Sequence, residues 1–153
     1  MTADAIPPAP DGWAPITTHD PFEKDVFGDH GPGAEGGTVT FAFYDRREDG
    51  KRIFAFRPEP RHANGLGIVH GGAIMTFFDA SLGSAAWDAV DRSPAVTLSL
   101  TSEFLSPARP GDLLVCRPTV TRKARSVIFV RGEITIGPRL VATANSVWKV
   151  LGA

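Results

Sequence analysis

One stretch of this chain changes period, and that change limits the folds open to it. Ile74, Phe77, Phe78, Leu82 and Ala85 recur at helical spacing, and no proline interrupts until Pro94. The spacing predicts one helix over about 71 to 89, roughly 28 Å long at 1.5 Å per residue. The other patterned segments read as strands. In TVTFAFYD, Val39, Phe41 and Phe43 alternate with Thr38, Thr40 and Ala42, the mark of a half-buried strand. REDG follows, with Asp49-Gly50 as a hairpin signal, and KRIFAFRP is a second strand. After the helix come AVTLSLTSEFL, GDLLVCRPTVTRK, SVIFVRGEITI and RLVATANSVWKV, separated by SPARPGD, KARS and Gly137-Pro138. Pro118 cannot donate to a ladder, so it points to an edge or a bulge in its strand. Two strands, one long helix and four strands have one economical arrangement. It is an α+β fold in which an antiparallel sheet curls around the helix. Such a sheet keeps edges and a face that a second subunit can cover.

At 153 residues the chain holds one domain with a proper core. Residues 1–36, rich in Pro, Gly and Asp, read as an arm, with one short helix expected from Pro21 to Phe27 after a capping Asp20. Residues 37–153 form the domain. A net charge of −1 advertises no basic surface for nucleic acid. The opening MTADAIPPAPDGWAP lacks the basic start of a secretory signal, and AIMTFF is far too short to span a membrane. The lone Cys116 precludes an internal disulfide and suits a reducing cytosol, so a cytoplasmic protein is expected. Cys116 lies in LLVCRPTV and reads as a core thiol. His19, His30, His62 and His70 show no metal-ligand spacing, and neither metal nor cofactor is expected.

The chemistry concentrates in NGLGIVHGGAIMTFFD, residues 64 to 79. The first N–H groups of a helix lack partners and carry partial positive charge. Glycines at 71 and 72 let a carbonyl oxygen approach them, so His70-Gly71-Gly72 is an oxyanion-site candidate with Gly71 N–H as leading donor. A tight turn with packing glycines would also fit that stretch alone. Asp79 shares a helix face with Gly72, Met75, Gly83 and Ala86, a small and apolar stripe on which a carboxylate is costly unless paired or used. It reads either as a catalytic group or as a rim carboxylate bonded to a nearby Ser or Thr.

NGLGIVHGG, with Asp79 nine residues after His70 and then a strand ending in FLSPARPGD, resembles the PaaI-like hotdog-fold acyl-CoA thioesterases over roughly Thr38 to Val150. The resemblance implies that the helix is the sausage and the sheet the bun. It implies Asn64, His70 and Gly71 on one side of a site and Asp79 on the other, with Thr97 supplying the hydroxyl that some relatives take from Ser. Asp79 would be the base or the nucleophile, and Asn64 would orient the carbonyl or the water. His70 would bond within the turn or touch the thioester oxygen. Thr97 would hold water or Asp79. The N-terminal arm lies outside the resemblance.

The expected partner is an acyl-CoA. Arg122, Lys123 and Arg125, with Ser126 beside them, form a basic turn suited to CoA phosphates or simply to solvent. Phe77, Phe78, Trp87 and Phe104 would line an acyl pocket or, for most of them, fill the core. Gly71 and Asp79 sit eight residues apart, roughly 12 Å along a helix, too far to act on one carbonyl from one chain. That geometry predicts a symmetric homodimer, with a dimer of dimers also compatible. Two rival readings remain open: a non-catalytic acyl-CoA sensing module, and a hotdog hydratase or dehydratase.

Overall fold

The helix expected from the period is α1, Gly71–Asp88, in a computed structural model that describes residues 8–15 and 41–153. Six of the strands are those read from alternation. They are β2 (Phe43–Glu48), β3 (Lys51–Phe56), β4 (Ala95–Phe104), β5 (Leu114–Lys123), β6 (Val127–Ile136) and β7 (Arg139–Val150). A further strand, β1 (Ala14–Pro15), comes from the arm and pairs with β2. All pairings are antiparallel, in the order β1-β2-β3-β5-β6-β7-β4. The β2–β3 hairpin turns at Asp49 and Gly50, whose φ angles of 50° and 76° are both positive, as a tight two-residue hairpin turn demands.

The sheet curls around α1, which contacts β3, β4, β5, β6 and β7. Phe77, Phe78 and Leu82 are fully buried beneath it, joined by Phe54, Phe56, Leu114, Ile128, Ile134 and Trp148. Two glycines set the helix–sheet distance. A Cβ on Gly132 of β6 would lie 2.6 Å from Leu82 Cδ2, and one on Gly83 of α1 would lie 2.8 Å from Trp148 Cη2. Side chains at those points would lift the helix off the sheet.

Several expectations change in detail. Of the strand expected from Thr38, positions 38–40 lie outside the described residues, β2 carries Phe43 onward, and Phe41 packs its ring 5.6 Å from those of Phe43 and Phe56. The short helix expected at Pro21–Phe27 lies outside the described residues. Pro118 lies within a central strand, yet β3 pairs with β5 only as far as Cys116, so beyond that point β5 has no strand partner on that side among the described residues. A register shift between Val120 and Arg122 follows.

The bulge in β4 matters most. Ala95 and Thr97 oppose Val150 and Trp148, and Ser99 opposes Val147, so Leu98 is the extra residue, 59% exposed. Regular alternation would put Thr97 and Phe104, seven residues apart, on opposite faces. One inserted residue puts both on the helix side. Among the described residues, β4 forms a sheet edge with no partner strand beyond it.

Candidate active site

The loop before α1 is built by Asn64. Its side-chain Oδ1 accepts from Leu66 N–H at 2.9 Å and Ile68 N–H at 3.2 Å, its own N–H donates to Ile68 O, and Gly67 at φ 72° closes the turn onto Asn64 O. The carboxamide oxygen is thereby committed to the loop. Only the amide NH2 remains for another partner. His62 anchors the same loop from the core. It is 2% exposed, its Nδ1 accepts Glu59 N–H at 2.9 Å, and its carbonyl accepts His70 N–H.

His70 is the N-cap of α1, with an exposed side chain that makes no capping bond. Its carbonyl accepts from Ala73 and Ile74 N–H. Gly71 and Gly72 N–H thus stand ahead of the first intrahelical bond, with no acceptor among the described residues. No acidic side chain sits in this first turn to neutralise its positive end. Over Gly71 lies the ring of Phe104, whose Cζ would be 3.3 Å from a Cβ at that position.

Two turns along the helix, half-buried Asp79 accepts a 2.8 Å hydrogen bond at Oδ1 from Thr97 Oγ1. Oδ2 has no partner among the described residues. The bulge makes this contact by turning Thr97 toward α1. Between the two ends of the site, Ser102 Oγ donates to Met75 Sδ. The sequence-derived residues therefore fall into two groups on one helix. Asn64, His70 and Gly71 surround its start, while Asp79 and Thr97 lie at its middle. Phe77 and Phe78 are fully buried and Trp87 is 7% exposed, so these three are core. Phe104, 53% exposed, is not.

Arg122, Lys123, Ala124, Arg125 and Ser126 span the end of β5 and the turn into β6. Among the described residues no ion pair engages its three cations. Ser126 O accepts Val150 N–H, which ties the turn to the sheet end where β4 begins. Cys116 is fully buried, and burial pushes its thiol up to about 12, which suits a packing role. No cluster of three metal-ligating side chains occurs among the described residues.

A family model described as the thioesterase superfamily matches residues 66–143, just over half of the chain and the segment that carries every residue of the two groups but Asn64. The chain belongs to the thioesterase superfamily. A Pseudomonas aeruginosa protein classed by name as an esterase is 34% identical over 105 residues, 67% of this thioesterase and 78% of that protein. Mouse acyl-coenzyme A thioesterase 13 is 28% identical over 86 residues, 56% of this chain and 61% of that one. A Ralstonia eutropha structure titled as a phenylacetic acid degradation-related thioesterase superposes with a TM-score of 0.66 at 28% identity, covering 84% of this chain and 98% of that one. A Bacillus halodurans protein solved with CoA gives a TM-score of 0.66 at 25% identity, over 71% and 74% of the two chains. The thioesterase is PaaI-like, its fold is the hotdog fold, and it is a thioester hydrolase. No helix among the described residues is long and apolar enough to cross a membrane.

Proposed function

We propose that this thioesterase hydrolyses acyl-CoA to the free acid and CoA at sites shared between two subunits. The observation that carries the reading is the Asp79–Thr97 hydrogen bond, which orients a carboxylate and leaves its second oxygen available. Gly71 N–H, at the positive end of α1, polarises the thioester carbonyl and holds the oxyanion. Asp79 acts on the carbonyl carbon, either directly, forming a mixed anhydride that water then cleaves to the free acid and the restored carboxylate, or through a water whose proton it takes. The CoA thiolate leaves and is protonated by solvent. Asn64 shapes the loop that presents Gly71 and offers its NH2 to the carbonyl or water, and His70 fixes the start of the helix. The basic turn at Arg122, Lys123 and Arg125, with Ser126 beside it, receives the nucleotide phosphates. A CoA-bound relative and relatives named as acyl-CoA thioesterases support the choice of carrier.

Distance supports the dimer. Eight residues of helix separate Gly71 from Asp79 by about 12 Å, and an aspartate is too short to close that gap. β4, ten residues long, has no partner strand on its outer side among the described residues and so offers an edge for antiparallel pairing with a second copy. A two-fold axis there brings Asp79 of one chain toward Gly71 of the other.

The test has three arms. Purified protein is given a panel of acyl-CoAs with a thiol reagent, and free CoA is measured. Binding without CoA release retires the hydrolase mechanism in favour of a sensor. Asp79→Asn lowers kcat at least about a hundredfold while the fold survives. A variant turning over at near wild-type rate removes Asp79 from the chemistry. Separately, inactive Asp79→Ala is co-refolded with an equal amount of inactive Gly71→Val. Half of the randomly paired dimers are mixed, each with one intact site, so about a quarter of wild-type activity returns. No recovery despite proven subunit exchange refutes the shared site.

A further inference from the structure

We infer that Phe104 is the specificity-determining wall of the acyl site, and that it serves the Asp79 of the opposite subunit. The inference rests on the shared-site reading above and adds the residue that sets the preference for bulky apolar over small acyl groups.

Three observations meet at this ring. Phe104 is 53% exposed, although its side chain points to the helix side of the sheet, where large residues are otherwise buried. Its tip lies over Gly71, against the backbone whose N–H has no partner, so a carbonyl at that N–H has the ring beside it. The bulge at Leu98 then gives Phe104 and Thr97 the same face of β4. Within one chain they are far apart, about 23 Å for seven residues of strand. The shared-site reading requires a two-fold axis that crosses the edge of β4 near Leu100 and reverses the strand, which puts the partner subunit's Phe104 within about two residues of Thr97. The ring that covers one Gly71 thereby faces the other chain's Asp79.

The two ends of the ligand can be told apart by charge. The Arg122–Arg125 turn lies at the end of the sheet where β4 begins, tied there through Ser126, Val150 and the Val127–Lys149–Val96 register. A nucleotide reaching that turn leaves the acyl group to run the other way, toward the partner's helix start and Phe104. Leu66, in the loop before the helix, and Leu105, the residue after Phe104, are exposed apolar side chains on the segments at that end, at 78% and 56% exposure.

The test compares kcat/KM for benzoyl-CoA and hexanoyl-CoA with that for acetyl-CoA in wild type, Phe104→Leu and Phe104→Ala. Removing the ring should lower the ratio of bulky to acetyl substrate about tenfold in Phe104→Ala, as lost apolar contact predicts, with Phe104→Leu between. An unchanged ratio while turnover persists overturns the inference and leaves the hydrolase reading standing. A wild type that cleaves none of the three overturns both. An unchanged ratio with a dimer that dissociates in gel filtration would make Phe104 a subunit contact, which also overturns it. The assignment to the opposite chain is read from a heterodimer of Phe104→Ala and Asp79→Ala, purified through two different tags. Its one site with an intact Asp79 draws Phe104 from the other chain, so the wild-type ratio should return. A Phe104→Ala-like ratio would put ring and carboxylate in the same subunit.

Discussion

Gly83→Ala adds one carbon where α1 meets β7, one turn beyond Asp79. The new Cβ would stand 2.8 Å from Trp148 Cη2 and 3.0 Å from Cζ3, against the 3.5–4.0 Å of an ordinary carbon contact. The indole cannot swing aside cheaply. It is 2% exposed, and its Nε1–H donates to Ser146 Oγ at 2.8 Å, which in turn donates to Val130 O at 2.9 Å. Overpacking of this kind costs about 1–3 kcal/mol, and a rigid, pinned neighbour places this site near the top of that range. Alanine recovers about 0.8–1 kcal/mol through helix propensity. The net loss is then about 1–2 kcal/mol, a fall in Tm of roughly 2–8 °C for a chain of this size. Calorimetry at fixed protein concentration reads it, because assembly would otherwise shift Tm by mass action. Trp148→Phe removes the offending ring atoms, so Gly83→Ala made in that background should be neutral or stabilising. A Gly83→Ala protein that melts higher than wild type would refute the claim that this contact sets the helix–sheet distance.

Thr97→Val should lower kcat by about tenfold through loss of a hydrogen bond to a carboxylate, while Thr97→Ser restores most of it; steady-state rates that do not move would leave Thr97 outside the site. Replacing Arg122, Lys123 and Arg125 together by Ala should raise KM for acyl-CoA about tenfold, the sum of three exposed ionic contacts, and spare a short thioester without the nucleotide. Cys116 should resist thiol reagents in the native protein and react once per chain in denaturant, because burial holds it protonated; rapid native labelling would contradict that burial. The same raised pKa means that the native state keeps a proton which the unfolded chain loses above its ordinary 9.0, so stability should fall as pH rises from about 9 toward 12. Cys116→Ala should flatten that slope in denaturation curves measured across this range.

The helix was legible because its apolar residues repeat from Ile74 to Ala85, about three turns, and no proline breaks them. The strands after it were legible because turn residues separate them cleanly. Asp79 stood out because its neighbours on the helix are small and apolar, and a charge there needs a reason. Other features had no local signal. Ala14–Pro15 is a strand only because β2 offers it an edge, and two residues carry no periodicity. The bulge was hidden because TLSLT reads as plain alternation, and only the register against β7 reveals that Leu98 is surplus. Phe104 looked like its fellow aromatics for the same reason: a strand's sequence says which residues share a face, not where the helix beneath it ends. Asn64 shows the converse limit. Its place in the motif was plain, but only the fold reveals that its carbonyl oxygen is already spent on Leu66 and Ile68.

The two borders of the sheet are not alike. At one, β4 presents ten residues; at the other, β1 presents two, the second of them a proline with no N–H to give. A sheet with two welcoming borders could add copies without limit and grow into a filament. Among the described residues the β1 border offers a far shorter template than β4 does, and a border that pairs with its own copy across a two-fold is used up in the act. The short strand from the arm covers Tyr44 and Asp45 of β2 and blunts the margin farthest from β4 in strand order. Deleting residues 1–15 should leave the chemistry untouched while exposing β2 to lateral association, seen as concentration-dependent light scattering from an enzyme that still turns over.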